Sequence, residues 1–419
     1  VIRTRDLCIT FFLLCGLGLF AAPAHAAAFS VLHTFTDGSD GAEPYSGVIM
    51  DSAGNLYGTT QWGGVCYVYG PPINCGVVFK VAKDGTETIL HTFCTEQSCP
   101  DGLFPSSGLI ADKAGNLYGT TSFGGAIGGG TLYRLAPDGT ESVLYSFGGG
   151  NDGAGPGGNF IRDKAGNFYG TTYMGGAHGT GTLFKLAANG TLSVLYAFAG
   201  GSEGNTPQGV SADSAGNLYV LMQYGGDVTD CPGAKYVQPG CGTVLKLTPG
   251  GAATVLHTFT GGSDGQTPYG SLLVDSSGNL FGTSQAGGGT DCNGFGPGCG
   301  TIFRIAADGS ESVFYAFTGG RNGAVPRAGL IADAAGNLLG TTYSGGSNKG
   351  SCGVIGGCGT VFEVTPNGTA TVLHVFNTAA SNPWASLLLH RGTLYGTTLF
   401  GGGTGCDGTG CGTVFQLKE

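Results

Sequence analysis

Charge is what this sequence has least of. Only 11% of its 419 residues are charged, and Lys plus Arg (17) fall short of Asp plus Glu (27), leaving a formal net charge of −10. No Lys/Arg cluster is visible. Nucleic acids and anionic membrane surfaces are read through a basic patch, so neither is expected as a partner. The acidic balance serves solubility instead. Helical periodicity is missing too, which argues against a helix-based fold. Glycine runs such as Gly287-Gly288-Gly289 lack the strand–helix context of a phosphate cradle. Beyond residue 26 no apolar stretch is long enough to span a membrane.

Residues 1–26 differ in kind. Arg3 and Arg5 precede an apolar run from Ile9 to Ala22, and Ala24-His25-Ala26 follows. A charged start, an apolar centre and an A-x-A site describe a secretory signal peptide. The run is short for a membrane span. Leu14 stands before Cys15 where a lipobox has a small residue. The mature chain, 27–419, is expected to be secreted or held in the periplasm or cell envelope, without a membrane span and as a monomer.

Glycine (85) and proline (17) together approach a quarter of the chain, close to the level of low-complexity disorder. Their phasing says otherwise. The phrase Gly54-Asn55-Leu56-Tyr57-Gly58-Thr59-Thr60 returns at Gly115 to Thr121, at Gly166 to Thr172, at Gly278 to Ser284, at Gly336 to Thr342 and at Gly392 to Thr398. A degraded copy runs Gly216-Asn217-Leu218-Tyr219-Val220-Leu221-Met222, making seven in all. Each sits in a unit with four strand-like runs, such as Gly108–Asp112, Asn116–Thr121, Gly130–Leu135 and Ser142–Phe147. β-Branched and aromatic residues fill the runs and turn residues bound them. Asp84-Gly85, Asp138-Gly139, Asn189-Gly190, Asp308-Gly309 and Asn367-Gly368 predict type I′ hairpins between third and fourth runs. Repeats of four antiparallel strands describe an all-β fold, a seven-bladed β-propeller with four-stranded blades. A β-solenoid usually has shorter repeats. The units span about 36–93, 94–147, 148–198, 199–259, 260–317, 318–376 and 377–419, within one domain, 27–419. The seventh unit has no fourth run. Phe29-Ser30-Val31-Leu32-His33-Thr34-Phe35 matches Thr254-Val255-Leu256-His257-Thr258-Phe259, so strand 29–35 is expected to complete the last blade and close the ring. Closure removes two unpaired edges.

The phrases Gly-Thr-Val-Phe-Lys-Leu, Gly-Gly-Ser-Asp-Gly-x-x-Pro and Gly-Asn-Leu-Tyr-Gly-Thr-Thr resemble the GloVer tandem-repeat family of bacterial exported proteins, whose members often carry varied C-terminal surface anchors. The likeness covers residues 29–419, which hold repeats alone. It implies β-propeller-like repeats and export, and no established activity.

Cys8 and Cys15 lie in the expected signal peptide. Twelve cysteines remain in six local pairs: Cys66/Cys75, Cys94/Cys99, Cys231/Cys241, Cys292/Cys299, Cys352/Cys358 and Cys406/Cys411. An even count in an exported chain favours disulfides. Zinc would want C-x-x-C pairs or nearby His, and neither is present. Five pairs fall between second and third strands, where the loops vary in length; small closed loops give modest global stabilisation.

Those loops and the inter-unit links share one face, where function usually sits. Three series can be read there. The link residues Asp40, Asp101, Asp152, Glu203, Asp264, Asn322 and Asn382 could hold Ca²⁺ as a ring of oxygens. One carboxylate per unit is spread too widely for one ion, so a repeated turn cap is expected, and no cofactor. After the conserved-in-repeat proline come Tyr45, Ser106, Gly157, Gln208, Tyr269, Arg327 and Trp384, expected at the mouth of the central channel. After the Thr-Thr come Trp62, Phe123, Met174, Tyr224, Ala286, Ser344 and Phe400. Trp62, Trp384 and Tyr45 are expected to form one aromatic patch. With Gln208, Tyr269 and Arg327 it suits an extracellular glycan or protein ligand; the alternative is that these large side chains only pack blade against blade.

No catalytic constellation stands out. His33, His91, His257 and His374 occupy one repeat position. A lyase- or lactonase-like propeller enzyme would find its residues around His178, Asn159 and Arg162, none of which has an adjacent nucleophile or metal motif. A binding or interaction module is therefore the first expectation, an enzyme the alternative.

Overall fold

The computed structural model describes residues 28–66, 73–226, 240–289, 298–346 and 356–418, together with Cys231, Cys292 and Cys352. The expected signal peptide lies outside them. The described chain is an all-β propeller; its only helices are two single 3₁₀ turns, Gly201–Glu203 and Gly320–Asn322. Among the described residues no helix is long and apolar enough to cross a membrane.

The sheets do not separate into seven blades as the repeat count predicts. Four sheets have four strands and one has five; four of these five follow one repeat unit's strands, and the other joins Ala28–Thr34 to strands of the seventh unit. An eight-stranded sheet unites the third and fourth units, and Val65–Cys66 with Ile73–Asn74 adds a two-stranded ribbon. The union rests on one parallel pairing, Asn159 with Gly209. Gly209 and its neighbour Gly158 lack the β-carbons that would collide with Asn159 and Gln208, so two first strands approach each other closely.

The strand Ala28–Thr34 pairs antiparallel with Thr413–Lys418, with a register shift between Val31 and His33. The same shift recurs wherever a third strand meets its fourth, as between Leu132 and Tyr133 or Ile302 and Phe303. The N-terminal strand thus pairs as a fourth strand does.

Each recurring residue of the repeat has a packing reason. Gly58 lies opposite Phe79, and a β-carbon there would stand 2.5 Å from the Phe79 ring. The degraded fourth copy keeps this fit by exchange: Val220 replaces the glycine and Leu245, opposite it, replaces the aromatic. The second Thr hydroxyl ties the second strand to the third, as in Thr121–Thr131 at 2.9 Å and Thr398–Thr413 at 2.7 Å. The first Thr hydroxyl reaches the next unit: Thr283 to the Ala328 carbonyl at 3.0 Å, and Thr397 to the Ser46 carbonyl at 2.9 Å. Phenylalanines ending the fourth strands pack edge-on against the next unit's third-strand ring, as Phe93 on Tyr133, Phe317 on Phe362, Phe376 on Phe415 and Phe35 on Phe79. All four of these phenylalanines are at most 2% exposed, so the seams are as dry as a core.

A backbone clasp accompanies them. The residue before each unit's proline has φ between 48° and 64°, as Glu43, Phe104, Gly155, Thr206, Thr267, Val325 and Asn382. Left-handed backbone ahead of proline is costly for non-glycine residues. It turns the N–H onto the preceding unit: Glu43 to the Cys411 carbonyl, Phe104 to Cys75, Gly155 to Gly129, Thr267 to Cys241, Val325 to Cys299 and Asn382 to Cys358, at 2.7–3.0 Å. The proline ring then covers the glycine that follows the acceptor. A β-carbon on Gly300 would lie 2.6 Å from Pro326 Cδ, and one on Gly412 2.6 Å from Pro44 Cδ.

Two local expectations are corrected. The Asp-Gly and Asn-Gly hairpins are not type I′, because the residue before each glycine keeps negative φ. Gly85 alone is left-handed (φ 86°), with its N–H on the Ala82 carbonyl, while Asp84 Oδ1 accepts from Thr86. This is a type I turn closed by a left-handed glycine, the commoner three-residue loop. Asn382 does not belong with the link carboxylates. It stands directly before Pro383, in line with Glu43 and Val325, because the seventh link is shorter.

Gly300→Ala is expected to cost at least about 2 kcal/mol, since it meets both the φ penalty and the proline ring. Gly309→Ala bears a similar φ (89°) with no atom within 4 Å. Equal urea midpoints for the two variants would mean that the clasp contributes nothing.

Candidate functional site

The first strands converge on an axial cavity of about 600 Å³. Tyr45, Ser106, Gln208, Tyr269, Arg327 and Trp384, all expected at the channel mouth, line it; Gly157 does not, its neighbours Gly158 and Asn159 taking its place. The proline clasp positions these residues, because each follows directly on the turn that the proline fixes. Deeper in, Asn159 Nδ2 donates to Ser271 Oγ at 2.9 Å, joining first strands of the third and fifth units.

Among the described residues lining the cavity, Arg327 is the one that is charged. Its guanidinium lies 4.1 Å from the Trp384 ring centre and 4.5 Å from that of Tyr343. Tyr45, Tyr269 and Tyr343 meet Trp384 edge-on, with centroids 5.3, 5.6 and 5.5 Å away. The cation is thus held by ring faces. Arg327 Nε is buried without a hydrogen-bond partner. Burial lowers the guanidinium's pKa, and the ionisable groups acting against this are tyrosines, Tyr343, Tyr269, Tyr45 and Tyr224. No carboxylate pairs with it among the described residues. Burial, with Glu43 next, pushes the Tyr45 hydroxyl up to about 12, so the phenol stays a neutral donor. Gln208 is 4% exposed, its amide donating to the Thr206 carbonyl and Gln223 Oε1; it shapes the wall.

The expected single aromatic patch is two. Trp62 is absent from the Trp384 cluster and lies beside Phe104 at 4.7 Å, with Phe123 next to Phe104. Strand alternation is the reason. Gln61, Ser122 and Tyr173 line the cavity, so the following residues, Trp62, Phe123 and Met174, turn outward and are 37%, 48% and 49% exposed. Tyr343 was missed for the same reason: the position directly after Thr-Thr faces inward, and the sequence already shows Tyr173 and Tyr343 there.

His178, Asn159 and Arg162 do not form one site. His178 is exposed in a loop, Arg162 is exposed with its guanidinium over Tyr118 and Phe168, and Asn159 alone lines the cavity. The link carboxylates are turn caps: Asp152 accepts from the Gly148 N–H, Glu203 from Ala199 and Asp264 from Thr260, at 2.7–3.0 Å. Disulfides join all six cysteine pairs, and the second cysteine in Cys66–Cys75, Cys231–Cys241, Cys292–Cys299, Cys352–Cys358 and Cys406–Cys411 supplies the clasp carbonyl. Cys94–Cys99 lies in the link between the first and second units.

The model of the Gloeobacter/Verrucomicrobia repeat matches residues 66–231, 232–355 and 298–419. The chain belongs to this family. No curated protein sequence matches it. Among solved structures, the extracellular domain assigned to a hybrid two-component system of B. thetaiotaomicron is 12% identical, with a TM-score of 0.55, covering 93% of this chain and 39% of that one. Puromycin hydrolase is 11% identical, with a TM-score of 0.53, covering 88% and 52%. A gluconolactonase from Xanthomonas campestris is 15% identical, with a TM-score of 0.41, covering 73% and 82%. At these identities the first two likenesses speak for the propeller fold alone.

The family member's two tryptophans should be separable by fluorescence. Caesium ion is expected to quench the Trp62 emission and to leave that of Trp384, shielded by the Arg327 cation stacked on it, largely untouched. Trp62→Phe should therefore remove the quenchable fraction; quenching that persists in this variant would contradict the two-cluster arrangement.

Proposed function

We propose that this protein is an exported binding propeller, and that it holds an acidic extracellular glycan at the Arg327–Trp384 mouth of its axial cavity. The observation that carries the reading is a desolvated guanidinium with no counter-ion among the described residues, set among ring faces at the edge of a cavity large enough for a sugar unit. A buried cation without a partner is costly, and an incoming carboxylate relieves that cost through charge-assisted hydrogen bonds. The apolar faces of a sugar ring suit Trp384, Tyr45 and Tyr269. Export rests on the signal-peptide pattern of residues 1–26, and the disulfides fit an oxidising compartment.

The same proposal takes the mature chain as one domain, a seven-unit ring whose last blade is completed by the N-terminal strand. Its support is the pairing of Ala28–Thr34 with Thr413–Lys418, the Thr397–Ser46 hydrogen bond and the Phe35–Phe79 contact.

Arg327→Met keeps bulk while removing the charge. Its affinity for uronate-containing oligosaccharides on a glycan array should fall roughly tenfold to a hundredfold, the loss of a charge-assisted bond. Unchanged binding by this variant, or no preference for acidic over neutral glycans, would overturn the reading. Deleting residues 28–35 should give insoluble or oligomeric material by freeing the edge of Thr413–Lys418; a soluble monomer with unchanged unfolding temperature contradicts the closure.

A further inference from the structure

Among the described residues, ion pairs occur at three places: His33 with Glu87, His91 with Asp101, and His257 with Asp264. All three are seams between successive units, built alike. A histidine on one unit's fourth strand meets the link aspartate, Asp40, Asp101 or Asp264, and the first residue of the next fourth strand is glutamate, Glu87, Glu141 or Glu311. At three other seams the histidine is tyrosine, and the glutamate is lost with it. Tyr145 and Tyr196 donate to Asp152 and Glu203, and the facing positions are Leu192 and Ala253. His374 has no link acid; it stacks on Phe29, the residue at the facing position, at 4.0 Å. The three acidic seams therefore keep their residues as a set.

The seam of His33, Asp40 and Glu87 is the most closely assembled, with one donor atom from each within 4.8 Å of the others. His33 Nε2 and Glu87 Oε1 are buried and neither has a hydrogen-bond partner, yet they lie 3.5 Å apart. That is long for a hydrogen bond. It suits two ligands of one tetrahedral ion, whose donor atoms sit about 3.4 Å apart when each bond is near 2.1 Å. Asp40 is already oriented: its carboxylate accepts from the Thr36 N–H and hydroxyl, both at 2.8 Å, and from the Gly38 N–H at 3.1 Å. His33 is oriented by Phe35, whose ring lies edge-on at 4.8 Å. Ligands fixed by outer partners are the ordinary build of a metal site. The side chains of His33 and Glu87 keep 16% and 12% exposure, so an ion can reach them from solvent. The other seams are less ready. His91 already bonds Asp101 at 2.9 Å, and His257 lies 3.3 Å from Asp264.

We propose that His33, Asp40 and Glu87 bind one divalent transition-metal ion, of which Zn²⁺ is the type, with water completing the coordination. The ion would join the sheet holding Ala28–Thr34 to that of the first repeat unit, through His33 on one side and Glu87 on the other. It is independent of the axial cavity.

The chain supplies its own control. His33→Tyr/Glu87→Leu copies the Tyr145/Leu192 seam, which this fold already accommodates. Tag-free protein and this variant are stripped with chelator, incubated with ZnCl₂, desalted and assayed for metal by mass spectrometry, and melted with and without ZnCl₂. Wild type is expected to hold one more zinc per chain than the variant, and zinc should raise its unfolding temperature but not the variant's. Glu87→Gln, which keeps the shape and removes a charged ligand, should behave as the double variant does. Equal zinc content in all three proteins, or no zinc-dependent rise in the wild-type unfolding temperature, overturns the proposal.

Discussion

The structure depends most on a contact of a few atoms, repeated around the molecule: a proline ring laid on a glycine of the preceding unit, with the N–H before the proline bonded to the carbonyl before that glycine. Neither partner can be exchanged freely. The glycine has φ between 87° and 101° at six such seams and has no room for a β-carbon. The residue before the proline is held left-handed, a conformation costing of order 1–3 kcal/mol that persists only where its surroundings over-determine it. Here they do so through the hydrogen bond, the proline contact and the dry phenylalanine seam on the outer side.

This clasp links stability to the site. The backbone that reaches back to grip the preceding unit is the backbone that delivers the next side chain to the cavity. Tyr45, Tyr269, Arg327 and Trp384 each follow a clasped proline, so their side chains are free to differ while their positions are not. The disulfides act on the same contact. In five of six cases the second cysteine carries the acceptor carbonyl, and Gly129 serves where the loop is short and has no disulfide. A staple that closes a small loop adds little to global stability. Its consequence is local: the long loop after the second strand can vary without moving the carbonyl that grips the next unit.

Most of the fold was legible because its unit recurs. The strands, cysteine pairs and channel-lining series all follow from phase, and the fourth copy's Val220 reads as decay only until Leu245 is seen to compensate it. What escaped were features that phase alone does not encode. Whether Trp62 or Gln61 faces the cavity turns on a one-residue shift, since side chains alternate along a strand. The hairpin type depended on whether Asp84 as well as Gly85 takes positive φ, and aspartate tolerates either state. The merging of the third and fourth units needed Gly158 and Gly209 to fall side by side, a matter of two glycines among many. The link carboxylates accept turn hydrogen bonds that the repeat suggests, but that Glu87 stands beside His33 and Asp40 joins residues far apart in the chain.

The scarcity of charge gives the remaining charges weight. In a chain with 11% charged residues, an ionisable side chain drawn inward has few counter-ions within reach. His33, His91 and His257 meet theirs: each lies at a unit boundary against a carboxylate, and where the histidine is absent the facing glutamate is absent too. Arg327 is placed otherwise. It comes to the cavity wall at a position where other units offer Tyr45, Ser106, Gln208 or Trp384, and what surrounds it is aromatic. Ring faces stabilise a cation only in part, by about 2 kcal/mol when it is desolvated, far less than the charge loses on leaving water. A guanidinium committed to packing alone would gain from an acid nearby, and the repeat shows that it can place one across a seam. Among the described residues Arg327 has no such acid, and its Nε, beside an open cavity, has no hydrogen-bond partner within the protein.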